Sequence, residues 1–337
     1  MSEDTESEDT DLAPRVAPAA LALRADALEK ARGYARASRS AATWRAYESD
    51  WRVFGAWCDA AALTALPASA TTLAAFLSAE AADGRAPSTL QRRLAAIRLV
   101  HLAAGHPSPH DAIAVTEVMA GIRRAHGRPP ARKAPAVDRE IRSMVDTLDP
   151  TTTQGLRDRA VLLLGFAGAF RRSELVALAV SDLERRPEGL LVTIRRSKGD
   201  QEGEGQVVAI LAQRGSPWCP VAAVEAWLRH AGITAGPVLR RVYRGGRVEV
   251  ARPLSEQSVA GIVKRLAARV GLEPADYAGH SLRRGFLTSA ARNRADLLKL
   301  LAQSRHRNVE TVRGYIEDEE RFENHAAEGL LSDGGRP

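Results

Sequence analysis

Apolar side chains at Trp44, Tyr47, Trp51, Phe54 and Cys58 recur every three or four positions. This spacing predicts a helix with one apolar face. A second helix is expected from Ser88, directly after Pro87, with Ser88 and Gln91 in a capping-box pattern. Its inner face is Leu90, Leu94, Ile97 and His101, which leaves Gln91, Arg92, Arg93 and Arg98 largely on other faces. Shorter helices are expected near 21–33, 71–82 and 111–124, so the first part of the chain reads as all helix.

The second part is mixed. Helical periodicity predicts helices near 138–148, 156–169, 172–179, 220–231, 255–270, 281–292, 296–303 and 308–316. Leu190–Arg195 and Gln206–Leu211 read as strands joined through the polar SKGDQEGEG, with a further strand near Val238–Tyr243. The fold class expected is mostly α with a small β-sheet. An all-helical N-terminal domain precedes a mixed α+β domain. The boundaries expected are an acidic, disordered tail over 1–20, a helical domain over 21–126 and a basic, Pro-rich linker over 127–137. A mixed α+β domain over 138–318 and a C-terminal helix or tail over 319–337 follow. The linker, GRPPARKAPAV, has no periodic apolar pattern and is expected to lie along phosphates.

Charge adds to this picture. The net charge is +7, but the first eleven residues hold six acids and no base. Without them the 48 bases face 35 acids, a balance of +13, which suits nucleic acid or an anionic membrane surface. A basic amphipathic anchor is missing, and no apolar run reaches the roughly 20 residues that a membrane helix needs, so no membrane partner is expected. The acidic start does not read as a secretory signal. Cys58 and Cys219 suggest no disulfide framework, and a cytoplasmic location is expected. The eight histidines form no cluster with metal-ligand spacing, and neither a Walker loop nor the strand–helix alternation of a dinucleotide fold is present. No metal or cofactor is therefore expected.

Four short clusters carry the candidate chemistry. In GAFRRSEL, Arg171 and Glu174 stand three apart and would share a helix face, whereas Arg172 would point away. Lys198 follows a predicted strand end in the run Arg195–Gly199. In HSLRRGF, His280 and Arg283 are one helical turn apart, and Arg284 falls nearly on the same face. In SRHRNVETVRGYI, His306 precedes Tyr315 by nine residues.

In this order, Arg-x-x-Glu, a hairpin lysine, His-x-x-Arg and His-x8-Tyr closely resemble the active site of the tyrosine recombinase (phage integrase) family. The resemblance covers the whole second domain and, less specifically, the first. It implies that Arg171, Glu174, Lys198, His280, Arg283 and His306 surround a scissile phosphodiester and that Tyr315 is the nucleophile. Lys198 would give a proton to the departing 5′ oxygen. The residue types suit that chemistry, because arginines stay charged and donate paired hydrogen bonds to phosphate oxygens. A tyrosine with a pKa near 10 needs neighbouring cations to act as a nucleophile at pH 7. Glu174, a carboxylate near an anion, is better placed to orient its neighbours than to touch phosphate. Exchanging one phosphodiester for a phosphotyrosine and back retains bond energy, so neither ATP nor a divalent ion is required.

The function expected is therefore a site-specific recombinase acting on double-stranded DNA through a 3′-phosphotyrosine, with the two domains closing as a C-shaped clamp. A type IB topoisomerase and a non-catalytic, sequence-specific DNA-binding protein remain as alternatives. The DNA-contacting residues expected are Arg45, Gln91, Arg92 and Arg93 in the first domain and Arg132 and Lys133 in the linker. Beyond the acidic EDEE, Phe322, Ala326, Ala327, Leu330 and Leu331 fall near one helical face. That segment is expected to dock on a neighbouring copy, and the resemblance implies a tetramer on two DNA duplexes.

Overall fold

The computed structural model describes residues 18–128, 133–195, 205–320 and 327. The chain divides after Pro130 into two compact units.

The first unit is helical: α1 (Pro18–Ala37), α2 (Ala41–Ala60), α3 (Ala70–Ala82), α4 (Pro87–Ala103) and α5 (Ile113–His126). The aromatic stripe divides along α2. Trp51, Phe54 and Trp57 enter the core, where the Phe54 and Phe76 rings lie 5.0 Å apart, edge to face. Trp44 and Tyr47 are only partly buried and instead take the Arg39 guanidinium over their rings at 5.6 and 6.0 Å. Helix α4 starts one residue before the sequence pattern suggests. Pro87 is its first residue and Ala86 its N-cap, so Ser88 does not cap it. Proline suits that position because its missing N–H would have no helical partner. The fully buried His101 ties α4 to the loop before α3, accepting from the Ala68 amide at Nε2 (2.9 Å), with Nδ1 2.9 Å from the Ile97 carbonyl.

Arg93 departs from its expected outward position. It is buried between helices and forms an ion pair with Glu80 on α3, while its Nε lies 3.5 Å from Asp50 on α2. Arg92, half-exposed, clasps the same Asp50 through two bonds of 2.7 and 3.0 Å. An arginine can be buried when carboxylates neutralise it, and its partners here lie 43 and 13 positions back in the chain, beyond the reach of helical periodicity. Arg45 and Gln91 are exposed.

The second unit contains α6 (Asp138–Asp146), α7 (Thr153–Ala167), α8 (Arg172–Ala177), β1 (Leu183–Arg186), β2 (Gly189–Ile194) and β3 (Gln206–Leu211). It continues through α9 (Pro220–His230), β4 (Arg240–Val242), β5 (Val248–Pro253), α10 (Glu256–Arg269), α11 (His280–Arg292), α12 (Leu297–Ser304) and α13 (Val309–Glu320). Strands β1, β2 and β3 form an antiparallel sheet in that order, with Leu190 opposite Ile210 and Val192 opposite Val208. These four residues are buried, so the period of two puts one sheet face into the core. Helix α7 runs through that core and packs on α9 and α11. Trp227 of α9 is fully buried, and its Nε1 donates to the Val238 carbonyl (2.8 Å). Strands β1 and β5 were not anticipated. LERR and VEVARP are edge segments with mostly exposed side chains, and they carry no clear alternation.

The C-terminal half of the expected linker is part of this unit and not a free connection. The Ala134 amide donates to Asp276 (2.8 Å) and the Ala136 amide to Ser281 (2.9 Å), and Ala136 and Val137 are buried. A side chain at Gly285 would collide with the Ala136 backbone, so glycine is what lets this segment lie on α11. The exposed Lys133 donates through Nζ to the Ala275 carbonyl (2.5 Å). Arg132, Lys198 and residues 322–326 and 328–331 lie outside the described residues.

Candidate active site

Two turns bring the basic residues together. After α7 the chain reverses through Gly168 and Ala169, and Ala169 takes the left-handed conformation (φ 45°). After α12 it reverses through Arg305, also left-handed (φ 57°). Non-glycine residues seldom adopt that conformation, because Cβ crowds the following carbonyl.

Arg171 is not in the helix with Glu174. It is the N-cap residue of α8, and Glu174 folds back to cap the helix by accepting from the Arg171 amide (2.9 Å). The same carboxylate accepts from Arg171 Nη1 (2.5 Å) and Arg305 Nη2 (2.9 Å). The spacing of three therefore works through capping and not through a shared face. Arg283, on α11 and buried, donates through Nη1 to the Ala169 carbonyl (2.7 Å), and its Nη2 faces both ring nitrogens of His306 at 3.3 Å. Arg305 Nη2 shares the Ala169 carbonyl at 3.1 Å. Glu174 and this one carbonyl thus bind Arg171, Arg283 and Arg305 into one cluster.

Among the described residues of the cluster, two guanidiniums bond the one carboxylate and a third, that of Arg283, joins them through the Ala169 carbonyl. Burial, then Arg171 and Arg305, push Arg283 down to about 9, so it stays charged at neutral pH. Burial, then Arg283, Arg171 and Arg305, hold His306 down at about 4, so its ring is neutral. That agrees with its contacts, since Arg283 offers only donors and needs a ring nitrogen able to accept. Burial works to raise the Glu174 carboxyl, but Arg305 and the Arg171 bonds outweigh it and hold the group below the usual range.

Tyr315 sits on α13, half-buried, against a small cluster around Leu287, Leu300 and Val312. Arg284 lies over its ring at 5.9 Å and also donates to the Lys133 carbonyl. The Arg172 side chain packs against the backbone of Gly279. His280 is the first residue of α11 and is exposed. The structure therefore gathers Arg171, Glu174, Arg283 and His306. Arg305 stands in a motif the sequence marked out, but nothing in the spacing singled it out. An arginine at a helix C-cap followed by no glycine was the available signal.

The chain is similar to known proteins over most of its length. The model of the phage integrase family matches residues 137–321, and that of the phage integrase N-terminal SAM-like domain matches residues 33–105. The chain is 39% identical over 300 residues to an integrase/recombinase XerD homolog of Selenomonas ruminantium, covering 88% of this chain and 87% of that protein. It is 26% identical over 314 residues to the recombinase Cre of Escherichia phage P1, covering 87% and 88%. The fold resembles that of the XerH site-specific recombinase in a post-cleavage complex with a palindromic difH substrate. The TM-score is 0.55 at 18% identity, over 75% of this chain and 70% of that one.

Proposed function

This chain belongs to the phage integrase family, and from that premise we propose that Tyr315 is the nucleophile with which it cuts DNA. The protein is a tyrosine recombinase, an enzyme that cleaves and rejoins DNA at specific sites. The topoisomerase and non-catalytic readings give way to this one, because the relatives are recombinases.

The observation that carries the residue assignment is the charge surplus of three guanidiniums held around one carboxylate. A scissile phosphodiester brings one negative charge to that net surplus of two, and the second charge that develops during attack completes the balance. As Tyr315 Oη attacks phosphorus, negative charge grows on the nonbridging oxygens. Arg171 and Arg283 supply preorganised donors there, each worth about 3–4 kcal/mol in such sites. Neutral His306, whose Nδ1 lies 2.8 Å from Ser304 Oγ, keeps a donor for the same oxygens or for a proton in transit. The bond to the 5′ oxygen breaks as the bond to Tyr315 forms, and the departing oxygen takes a proton, a role assigned to Lys198. Attack by the 5′ hydroxyl on the phosphotyrosine reverses these steps and restores the tyrosine, with no metal or nucleotide consumed. Glu174 does not touch phosphate and instead holds the arginines at their spacing.

Arg45, Gln91 and the half-exposed Arg92 contact DNA from the first unit, and Arg132 and Lys133 lie along its phosphates. The segment Phe322–Leu331 docks on a second copy of the chain in a tetramer on two duplexes. An apolar groove of about 790 Å³ in the second unit, between Phe166, Leu211, Trp218 and Phe286, supports this reading. Truncation at Glu320 should then keep half-site binding and lose cooperative assembly. The assignment of Tyr315 is tested with a nicked suicide substrate on denaturing gels. Wild type should give a covalent protein–DNA band and Tyr315→Phe none, and a band in the variant would move the nucleophile elsewhere.

A further inference from the structure

We propose that Arg305 is a positioning residue for strand cleavage, a third arginine that sets the spacing of Arg171 and Arg283 without touching DNA. The inference rests on the reading of Arg171, Arg283 and Tyr315 given above.

The first observation is where Arg305 stands. It caps α12 in the left-handed conformation, with its amide donating to the Leu301 carbonyl (2.7 Å). Glycine is the residue that such a cap takes without strain. A local strain at this point needs an offset elsewhere, and strain of this kind clusters at functional sites.

The second observation is what the side chain does. It is only 3% exposed, so it is shut off from solvent. It donates to the Gly168, Ala169 and Gln303 carbonyls at 3.0, 3.1 and 2.6 Å and to Glu174 at 2.9 Å, and it lies over the Phe170 ring at 5.1 Å. Two of these groups, Glu174 and the Ala169 carbonyl, also support other residues of the active site. Glu174 is the carboxylate that also holds Arg171, whose Nη2 in turn faces the Arg305 carbonyl at 3.4 Å. Ala169 is the carbonyl that also holds Arg283.

The third observation is the consequence for the next residue. The left-handed turn at Arg305 is the one that presents His306 to Arg283. One side chain thus joins the two strained turns at 169 and 305 and fixes the groups held against them. Both terminal nitrogens of Arg305 are occupied by two acceptors each, whereas Arg283 Nη1 bonds only the Ala169 carbonyl and Arg171 keeps a partly exposed side chain, so those two meet substrate and Arg305 holds them in place.

The test uses the full chain and a suicide DNA substrate at saturating protein, with cleavage rate, equilibrium DNA binding and thermal midpoint measured for wild type, Arg305→Gly and Arg305→Lys. Glycine removes the guanidinium while suiting the backbone. Lysine keeps the charge but cannot reach four acceptors in the same geometry. The expected result for Arg305→Gly is a 10- to 100-fold slower cleavage, a loss of the size that supporting groups behind a reactive site cause, with DNA affinity within about twofold. Arg305→Lys should recover part of that loss. The pH profile gives a readout that a merely structural role would not move. Among the charges facing His306, namely Arg171, Arg283, Arg305 and Glu174, one cation is lost, so the acid limb of cleavage in Arg305→Gly should shift to higher pH. Cleavage by a folded, DNA-binding Arg305→Gly at the wild-type rate overturns the inference. If Arg305→Gly does not fold, Arg305→Lys decides, and wild-type cleavage by that variant overturns it too. Failure of wild type to form any adduct would instead contradict the tyrosine mechanism itself.

Discussion

Replacing Glu174 by Gln removes the carboxylate that Arg171 and Arg305 share and leaves the shape nearly unchanged. Glu174 is 2% exposed and accepts three bonds at 2.5, 2.9 and 2.9 Å, two from Arg171 and one from Arg305. Breaking a buried ion pair from one side typically costs about 3–5 kcal/mol, because the partner is left charged and uncompensated. Gln keeps one acceptor oxygen but turns an NH2 toward a donor, so about 3 kcal/mol is expected. For a unit of this size each kcal/mol moves the thermal midpoint by about 2–4 °C, giving a fall of about 6–12 °C at pH 7. The sign with pH follows from the lowered Glu174 pKa. Its stabilisation is present above the ordinary carboxylate range and is lost as pH falls through the lower folded value. The variant should lack that component of acid sensitivity. The surplus of cations should also bind anions more strongly, so inorganic sulfate should raise the midpoint of Glu174→Gln more than that of wild type. Thermal unfolding by circular dichroism over pH and sulfate reads all three effects. A midpoint within 2 °C of wild type at pH 7 would refute the claim that this carboxylate holds the cluster together.

Arg171→Ala and Arg283→Ala should each slow cleavage by about 10²–10³-fold in single-turnover gels, the loss expected for a preorganised donor. Arg172→Ala should cost far less, and Arg284→Ala should fall between, since Arg284 packs over the Tyr315 ring. His306 is neutral in the folded state, with its pKa lowered to about 4. The unfolded chain therefore gains a proton near pH 6.5 that the folded state refuses, and stability falls as pH drops from about 6.5 to about 4. His306→Asn should flatten that slope in urea titrations. Arg93→Ala should destabilise the first unit, whereas Arg45→Ala should leave stability alone and reduce the log–log salt slope of DNA binding by about 0.9. An equal loss of salt slope in a folded Arg93→Ala would contradict its buried position.

What the sequence shows of this protein depends on how far apart the interacting residues lie. Periodicity reports contacts within a helix turn or along a strand, so the helices, the β2–β3 hairpin, the Arg171–Glu174 pair and the His280–Arg283 spacing were visible. It reports nothing about partners on other elements of the chain. Arg305 meets Glu174 across 131 residues and Ala169 across 136, and that is why its role was hidden inside a motif already singled out. Arg93 was misplaced for the same reason: a charged residue on a helix reads as solvated unless its distant carboxylates are known. Ala169 contributes only a backbone carbonyl, a group that every residue carries, so no residue type could mark it. Strands β1 and β5 escaped because edge strands need no alternating pattern when both faces are largely wet.

The central claim is that Tyr315 attacks phosphorus within a cage of arginines that needs no metal. The most direct test is mass spectrometry of the adduct formed on a suicide substrate in excess EDTA. Trypsin cutting after Arg313 and Arg321 isolates the peptide Gly314–Arg321, in which Tyr315 is the only hydroxyl-bearing side chain. The account predicts that this peptide carries the phosphodeoxynucleotide, with a yield unchanged by EDTA. A nucleotide on any other peptide, or an adduct that forms only when magnesium is restored, would contradict it.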